Sequence, residues 1–372
     1  MSGAVLTPGD ESELGEAIRG ARGGLRILGG GTRGAGAAGE ALSVGAIAGV
    51  TLHEPGALTL VARAGTPLGE VETTLRAEGQ RLPFEPMDHR ALLGVAGTPT
   101  IGGVVAANVS GPRRIQAGAC RDSLIGVRFV DGTGAAISNG GRVMKNVTGY
   151  DLVKLMAGSR GTLGVLTELS FKVLPAPETE ATLILDELAP GDGVAVLSAG
   201  LATPFEVSGA AYRAGRTLLR LEGFADSVAY RASRLRAALA RFGDAAIEDD
   251  PPRSAELWRA VRDVTDFADR PGDVWRVSVK PTDGPVTVAR AQAEEALLDW
   301  GGGLVWLLVA PGTDLRARLG AIAGHATLVR ADAATHARLG TFHPEPPALA
   351  TIATGLRAKF DPRGVLNPGL MG

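Results

Sequence analysis

Glycine clusters at separated points of the chain constrain its fold more than any other sequence feature. The chain has 53 glycines among 372 residues, which is about twice the usual share of ~7%. A glycine lets backbone N–H groups approach a ligand closely, because no Cβ stands in the way. We therefore expect backbone from several distant segments to converge on a single large ligand.

The first cluster is the loop Gly29–Gly34, which directly follows the apolar segment Leu25–Leu28. Successive glycines there allow backbone N–H groups to surround an anion. The loop lacks the helix spacing and the later acidic residue of a Rossmann fingerprint, and it lacks the Gly-Lys-Ser/Thr of a Walker loop. A flexible turn is an equally open interpretation of this segment alone.

Two further glycine-rich segments are Gly97–Arg113 and Gly158–Thr167, the second of which follows Lys145–Leu152. In the first, glycines and small polar residues flank an apolar stretch, a composition that suits a large planar ligand. Its alternative is a buried helix with glycine-rich ends. In the second, three glycines precede an apolar strand, and the alternative is an ordinary turn that enters a strand.

The fourth segment is the tail Phe360–Gly369, in which Asn367 stands next to Pro368. A polar side chain held by neighbouring prolines has a rigid placement, which suits a contact with the edge of a cofactor. A plain tail with turns is the alternative.

Periodicity in the first part of the chain predicts both helices and strands. It predicts a helix over Glu13–Ala21, strands over Leu25–Leu28 and Leu58–Ala64, and a hairpin that begins with Leu124–Val130. Thr66, followed by proline, is expected to cap the next helix. Antiparallel and crossover pieces are thus mixed, which indicates an α+β fold.

The Pro-Ala-Pro sequence at 175–177 predicts a domain boundary, because the stretch of high glycine content ends near there. We expect a ligand-binding domain over 1–175, a compact ferredoxin-like α+β domain over 176–332, and a segment over 333–372 that returns to the first domain. The second domain alternates short helices with paired strands. One of its expected helices is Val286–Trp300.

Charge and composition exclude several classes of function. The formal net charge is −2, and opposite charges are interspersed, so no basic stripe is present to bind nucleic acid. The longest strongly apolar run, Leu304–Ala310, is far shorter than the ~20 residues of a membrane span. A cytoplasmic protein is expected, and docking on a membrane-bound partner stays open. The single cysteine, Cys120, cannot ligate an iron-sulfur cluster alone.

The order and spacing of the four segments resemble the FAD domain of the vanillyl-alcohol-oxidase/D-lactate-dehydrogenase superfamily. The resemblance is strongest to the small flavin subunits of bacterial glycolate oxidases, over Gly97–Arg113, Arg121–Val130, Gly141–Pro175 and Phe360–Pro368. It implies an α+β fold, in which a PCMH-type two-part FAD-binding domain carries a ferredoxin-like α+β cap domain.

The resemblance also implies the residues that hold FAD. The first loop would surround the pyrophosphate, the second and third segments would line the rest of the cofactor, and Asn367 would approach the isoalloxazine. The implied FAD-binding residues are Gly29, Gly30, Gly31, Thr32, Arg33, Thr98, Ile101, Gly102, Gly103, Asn108, Ser110, Gly158, Gly161, Thr162, Gly164, Val165 and Asn367. Residues 23–40 contain no His or Cys, so the FAD is expected to be non-covalent.

The cap departs from relatives that oxidise 2-hydroxy acids at a histidine-rich metal site. The histidines of this chain, His53, His89, His325, His336 and His343, do not form such a pattern. We therefore expect no bound metal. The nearest pair, His336 and His343, lies beside a proline-rich loop, and we interpret its members as lone surface histidines.

Three cations of the cap, Arg262, Arg276 and Lys280, are candidates to bind a substrate carboxylate. A guanidinium can bind a carboxylate through two parallel hydrogen bonds. The alternative is that these residues are ordinary solvated cations. No catalytic residue is assigned from the sequence.

The resemblance implies an FAD-dependent oxidoreductase subunit that works with a larger homologous flavin subunit and an iron-sulfur subunit in oxidising glycolate to glyoxylate. Electrons would leave through the iron-sulfur partner. Two alternatives stay open: a self-sufficient FAD-dependent 2-hydroxy acid dehydrogenase, and a non-catalytic assembly subunit.

Overall fold

The computed structural model describes residues 5–33, 37–141 and 149–371. Its strands form a five-stranded sheet, an eight-stranded sheet and two separate two-stranded pairs. Helices and strands are mixed in both large regions, as the sequence predicts. The region with the five-stranded sheet comes first along the chain, and the eight-stranded sheet follows it.

The elements of the first region alternate short helices with short strands. In chain order they are α1 (Glu11–Gly20), β1 (Leu25–Leu28), β2 (Glu40–Ser43), β3 (Val50–Glu54), β4 (Thr59–Arg63), α2 (Leu68–Ala77), β5 (Gln80–Arg81), α3 (Arg90–Leu93), α4 (Ile101–Ala106), α5 (Arg114–Ala117), α6 (Cys120–Ser123), β6 (Leu124–Val130), β7 (Ala136–Gly140), α7 (Leu152–Met156), β8 (Val165–Lys172) and β9 (Leu174–Pro175).

The five-stranded sheet has the order β3-β4-β8-β6-β7, and all of its neighbours are antiparallel. Its inner strands are rich in buried apolar side chains, among them Leu60, Leu169 and Phe171. Burial of such side chains contributes about 1.5–3 kcal/mol each. The well-packed sheet therefore supports the glycine-rich segments that lie next to its strands in the chain.

Beside this sheet, β1 and β2 form a parallel pair. Helix α1 begins after Asp10, whose carboxylate accepts a hydrogen bond from the Glu13 amide at 2.9 Å, and it buries Leu14 and Ile18. The chain end joins this unit, because Leu25 pairs with Leu366 in an isolated parallel bridge. The tail is thereby fixed next to the strand that leads into the first glycine loop.

The elements of the second region and of the chain end follow in order. They are β10 (Thr179–Leu185), α8 (Pro190–Leu201), β11 (Gly209–Arg213), β12 (Arg216–Gly223), α9 (Ala225–Leu239), β13 (Ala246–Glu248), α10 (Pro251–Asp263), β14 (Asp273–Ser278), α11 (Gly284–Ala291), β15 (Glu295–Asp299), β16 (Leu304–Val309), α12 (Leu315–Leu319), β17 (His325–Arg330), α13 (Ala333–Leu339) and α14 (Pro347–Phe360). Short 3-10 helices occur at Pro55–Ala57, Ala240–Phe242, Thr265–Phe267, Pro281–Asp283 and Trp300–Gly302.

The eight-stranded sheet consists of two ferredoxin-like halves. Its order is β13-β10-β12-β11-β15-β16-β14-β17. Within each half the chain runs strand-helix-strand-strand-helix-strand, and the spatial order of the four strands is the same. The halves meet where β11 pairs with β15 through Tyr212–Leu298 and Arg213–Leu297. The cap is thus a doubled version of the single ferredoxin-like unit that the sequence indicates.

The predicted helix Val286–Trp300 is wrong in its second half. Helix α11 ends at Ala291, Gln292 adopts a left-handed conformation with φ of 48°, and Glu295–Asp299 form the strand β15. The residues Ala, Glu and Leu in this stretch favour helix locally. Pairing of β15 with β16 on one side and β11 on the other overrides that preference.

The predicted cap of α2 also differs from the structure. Helix α2 begins after Pro67 without a side-chain cap. The Thr66 hydroxyl instead donates to the Arg63 carbonyl at 2.6 Å and accepts from the Gly49 amide at 2.9 Å. Thr66 therefore ties two loops of the sheet together rather than stabilising the helix start.

A buried ionic network joins the two regions. Arg220 on β12 donates to both carboxylate oxygens of Glu85, at 2.9 Å each, and lies 3.5 Å from Glu222. Arg113 of the first region pairs with Glu222. Buried charges need such partners because an unpaired charge away from water is costly. The network therefore holds the cap in one orientation on the first region.

Within the residues that the structure describes, no helix is long and apolar enough to cross a membrane.

Candidate functional site

A cavity of about 320 Å³ lies where the four glycine-rich segments meet, within the range of ligand pockets. Gly30, Gly103 and Gly161 all line it, although they stand far apart in the sequence. The predicted residues that line the cavity are Gly29, Gly30, Gly31, Thr32, Arg33, Gly102, Gly103, Gly161, Gly164, Val165 and Asn367. The convergence expected from the glycine clusters is thus present.

Gly30 is the position of closest backbone approach. A Cβ on Gly30 would stand 1.6 Å from the Thr98 carbonyl oxygen, which is backbone and cannot move aside cheaply. Gly97 is also confined, because its Cβ would stand 2.3 Å from the Gly30 carbonyl oxygen. The first loop and the start of the second segment therefore lie directly against each other.

The second segment forms the short helix α4, so the alternative of a buried helix with glycine-rich ends describes its local structure. Thr100 caps it by accepting a hydrogen bond from the Gly103 amide at 3.2 Å. Gly102 packs against the Ala64 carbonyl, and Gly103 faces the Arg33 guanidinium. Both glycines also line the cavity, so the helical structure of this segment is compatible with a place in the wall of a ligand pocket.

Asn367 joins three segments at one end of the cavity. Its Oδ1 accepts from the Ile27 amide at 2.8 Å, and its Nδ2 donates to the Arg160 carbonyl at 2.7 Å. Its backbone has φ of 44°, which asparagine tolerates better than most residues. The buried amide therefore holds the loops around the cavity in place. This use of its polar atoms was not expected from the sequence.

Two guanidinium groups, those of Arg33 and Arg160, stand at the wall of the cavity. Burial lowers the pKa of each to about 10, and the positive charge of Arg160 contributes to the shift of Arg33. The Nε atom of Arg33 is buried without a hydrogen-bond partner among the described residues. An anionic ligand would relieve both the mutual repulsion and the unmet hydrogen bond.

Several residues implied by the resemblance lie near the cavity without lining it: Thr98, Ile101, Asn108, Ser110, Gly158 and Thr162. Asn108 Oδ1 accepts from the Arg121 amide at 3.1 Å, and Ser110 Oγ accepts from the Cys120 amide at 2.9 Å. These side chains bind neighbouring backbone in this structure. Their role toward FAD stays a prediction. Gly34 and Lys145–Thr148 lie outside the described residues.

The sequence did not single out other lining residues, among which Arg160 carries the most chemistry. It stands directly before Gly161 in the third segment and has φ of 50°. A cation among glycines is a signal that could have identified it. The remaining lining residues that were not anticipated are Arg26, Ile27, Leu28, Ala37, Val44, Ala64, Ala106, Ala107, Leu166 and Leu370.

The three candidate cations of the cap have different surroundings. Lys280 is exposed, and Arg262 is engaged by Asp263 at 2.7 and 2.8 Å. Arg276 has no carboxylate within salt-bridge distance among the described residues. Burial lowers its pKa to about 10, and the charges of Arg114 and Arg160 add to the shift.

The Arg276 guanidinium lies over the rings of two tryptophans, Trp300 and Trp306. The Arg276 guanidinium lies 5.1 Å from the centre of the Trp300 ring, and that of Arg114 lies 4.3 Å from it. The indole Nε1 donates to the Gly111 carbonyl at 3.0 Å. Because Gly111 belongs to the second glycine-rich segment, Trp300 connects the cap cation directly to the wall of the first region.

His89 is half-buried, and the sequence did not single it out. Burial is the main reason that its pKa falls to about 3, and the charges of Arg33, Arg160 and Arg276 lower it further. The sequence could not indicate this, because the burial arises from contacts between distant segments.

No group of three or more His, Cys, Asp or Glu side chains suited to a metal occurs in the described parts of the chain.

Comparisons with known proteins agree with this geometry. The profile of the family described as "FAD binding domain" matches residues 2–139. Glycolate oxidase subunit GlcE of Escherichia coli is 36% identical over 335 residues, which cover 90% of this chain and 87% of that protein. Glycolate oxidase subunit GlcD of Bacillus subtilis is 46% identical over 85 residues, 23% of this chain and 18% of that protein.

Among solved structures, an alkyldihydroxyacetonephosphate synthase superimposes with a TM-score of 0.69 at 15% identity. The match covers 98% of this chain and 76% of that one. At this identity the similarity concerns the fold alone. It supports the expected PCMH-type FAD-binding domain with an α+β cap.

Proposed function

Because this chain belongs to the family of the glycolate oxidase subunit GlcE and contains an FAD-binding domain, we propose that it is the FAD-binding subunit of a glycolate oxidase complex. The observation that carries the proposal is the convergence of four glycine-rich segments on one cavity, with Gly30, Gly103 and Gly161 in its wall. The chain is accordingly an FAD-dependent oxidoreductase by family.

The residues of the cavity fit FAD. The Gly30 amide makes no hydrogen bond among the described residues, so it is accessible to phosphate oxygens. Arg33 and Arg160 supply positive charge. Asn367 holds the first and third segments at a fixed separation. When bound, FAD supplies a two-electron oxidant that can take a hydride from the carbon bearing a hydroxyl group. The FAD is non-covalent in this proposal.

The proposed partners are a larger homologous flavin subunit and an iron-sulfur subunit. Cys120 is buried, and burial raises the pKa of its thiol to well above the usual value, so this chain has no thiolate for a cluster. Electrons would therefore leave through a partner. The complex would lie in the cytoplasm, with peripheral membrane docking through its partners.

Co-purification from cells, followed by mass determination of the intact complex, tests the assembly. The proposal predicts that the chain elutes with a second flavoprotein and an iron-sulfur protein in a fixed ratio. A stable chain that elutes alone from cells that contain all three subunits would contradict the heteromeric assignment.

A second candidate function is a 2-hydroxy acid site within this chain. Arg276 favours it, because this half-buried cation has no carboxylate partner among the described residues. It also lies over Trp300, which contacts Gly111 of the first region. Arg262 supports it less, since Asp263 already engages its guanidinium. The test is whether glycolate changes the absorption of FAD bound to the isolated chain. An unchanged spectrum at saturating glycolate would exclude this candidate.

A further inference from the structure

The backbone of Arg160 is held by two of the other glycine-rich segments. Its amide donates to the Ala106 carbonyl at 2.8 Å, and its carbonyl accepts a hydrogen bond from the Asn367 side chain at 2.7 Å. Its φ of 50° lies in the left-handed region, which few residues other than glycine adopt. The Arg160 side chain therefore leaves the third glycine-rich segment from a fixed point of the cavity wall.

The charge of Arg160 has no anionic partner within residues 5–33, 37–141 and 149–371, since its guanidinium forms no salt bridge there. Arg33, which lines the same cavity, adds a second positive charge. Oxidised FAD carries its permanent negative charge on the diphosphate, whereas its isoalloxazine ring is neutral. A guanidinium binds phosphate oxygens through parallel hydrogen bonds. The diphosphate is therefore the part of FAD that suits Arg160.

The side chain of Phe342 lies against the Arg160 guanidinium. The guanidinium carbon is 4.8 Å from the centre of the Phe342 ring, a distance at which an aromatic face attracts a cation. The ring is half-buried, and it does not line the cavity that the described residues form. Phe342 therefore acts on the cavity through Arg160 rather than by direct contact.

The segment that carries Phe342 is attached to the cap. The Leu328 amide of β17 donates to the Thr341 carbonyl at 2.9 Å. Arg316 of α12 donates to the Leu339 carbonyl at 2.7 Å and to the Thr341 carbonyl at 2.8 Å. These bonds hold the chain directly before Phe342 against the cap. The contact between Phe342 and Arg160 therefore joins the cap to the wall of the cofactor cavity.

We propose that Phe342 is a positioning residue that holds the Arg160 guanidinium where it binds the diphosphate of FAD. The proposal rests on the proposed function, which assigns the cavity to FAD. The cap then contributes to cofactor binding without touching the cofactor. Loss of the ring frees the Arg160 side chain, which must then be ordered when FAD binds. The affinity for FAD falls, although every group that contacts FAD is still present.

The test is a double-variant cycle in the full-length chain. It compares the unsubstituted chain with Phe342→Leu, Arg160→Gln and the variant that carries both substitutions. The dissociation constant for FAD is measured by fluorescence titration, and the midpoint potential of the bound flavin is measured against reference dyes. Phe342→Leu keeps an apolar side chain and removes only the aromatic ring. Phe342→Tyr keeps the ring and is the conservative variant.

Phe224→Leu is the matched control, because the Phe224 side chain is 77% exposed on the cap. Circular dichroism and urea unfolding establish that each variant is folded before FAD is added. Phe342→Met takes the place of Phe342→Leu in the cycle should the leucine variant fail to fold.

Phe342→Leu should weaken FAD binding about 3- to 10-fold, and Arg160→Gln about tenfold or more. In the chain that already carries Arg160→Gln, Phe342→Leu should have no further effect, since no cation is left to position. Phe342→Tyr and Phe224→Leu should bind FAD as the unsubstituted chain does. The midpoint potential should be the same in all of these proteins, because the diphosphate lies away from the ring that is reduced.

Each other outcome decides against a specific part of the proposal. If Phe342→Leu weakens FAD binding equally with and without the Arg160 guanidinium, or not at all, Phe342 does not act through Arg160. A midpoint potential that falls in Arg160→Gln would place the cation beside the isoalloxazine and overturn its assignment to the diphosphate, as would an unchanged FAD affinity in that variant. In all of these cases the FAD-binding assignment stands. An unsubstituted chain that takes up no FAD overturns the proposed function itself.

Discussion

The Ile27 amide donates a hydrogen bond to the side-chain oxygen of Asn367 at 2.8 Å, across 340 positions of the chain. The same side chain donates to the Arg160 carbonyl at 2.7 Å. One amide group near the chain end therefore sets the distance between the first and third glycine-rich segments. The contact therefore contributes to the shape of the cavity together with the glycines.

Replacing Asn367 should loosen the cavity. In Asn367→Ala the Ile27 amide and the Arg160 carbonyl lose their partners, which costs about 1–3 kcal/mol for each buried group left unsatisfied. Asn367→Asp keeps the acceptor for Ile27 and loses only the donor. We expect the alanine variant to be less stable than the aspartate variant in urea unfolding and to bind FAD more weakly. Equal stability and FAD affinity in both variants would contradict the role of the Ile27 contact.

Gly30→Ala should prevent cofactor binding. Its Cβ would stand 1.6 Å from the Thr98 carbonyl oxygen, so the first loop must move. Gly31→Ala is the matched control, because Gly31 has φ of 67° and no neighbour within 4 Å of a Cβ. The control isolates backbone strain, which costs about 1 kcal/mol. We expect at least a tenfold greater loss of FAD affinity in Gly30→Ala, measured by fluorescence titration. Similar losses in both would show that strain alone matters.

Arg220→Met should weaken the attachment of the cap. The substitution leaves Glu85 and Glu222 without their central cation, and breaking a buried pair typically costs about 3–5 kcal/mol. Arg216→Met on the same strand is the control. Its pair with Asp186 is exposed and contributes at most about 1 kcal/mol. Calorimetry should show a much larger fall in melting temperature for Arg220→Met, and equal falls would contradict the structural role of the network.

The pH dependence of the folding stability should reveal the lowered pKa of His89. Its folded pKa is about 3, below the ordinary value of 6.5, so only the unfolded chain takes up this proton between these pH values. The contribution of His89 to stability is therefore complete above pH 6.5 and is lost as the pH falls toward 3. Relative to His89→Gln, the unsubstituted chain should lose about 1.4 kcal/mol per pH unit in this window. Parallel urea-unfolding curves at pH 4, 5, 6 and 7 would contradict this.

Asp299 should change the folding stability with pH in the opposite direction to His89. Burial raises its pKa from 3.8 to about 7, so between these pH values the folded state holds a proton that the unfolded state has lost. Its contribution is present below pH 3.8 and is lost as the pH rises toward 7. Asp299→Asn should therefore steepen the acid-side fall in stability that His89 causes. An unchanged slope in the Asp299→Asn variant would show that the carboxyl titrates normally when folded.

The sequence predicted those parts of the fold that depend on local pattern. The bounds of β1 and β6 follow from short apolar runs that end at turn residues. The strand β15 did not follow, because its residues Glu295–Asp299 favour helix and only the pairing with β11 and β16 makes them a strand. The local helix preference of residues predicts secondary structure poorly where pairing between distant strands determines it.

The candidate site also has parts that the local sequence pattern predicts and parts that depend on long-range contacts. Glycine clusters predicted the convergence on one cavity, since a missing Cβ is a property of the residue itself. The role of Asn367 arises from contacts between segments far apart in the chain. Single side chains outside a pattern carry no such signal, so neither His89 nor Arg160 was singled out.

The central claim is that the glycine-lined cavity binds FAD without a covalent bond, and the flavin content of the purified chain tests it most directly. The chain is saturated with FAD, freed of excess cofactor and precipitated with acid, and the flavin in the supernatant is quantified against protein. We predict one FAD per chain, all of it released. A colourless chain, or a flavin that stays with the precipitate, would contradict the account.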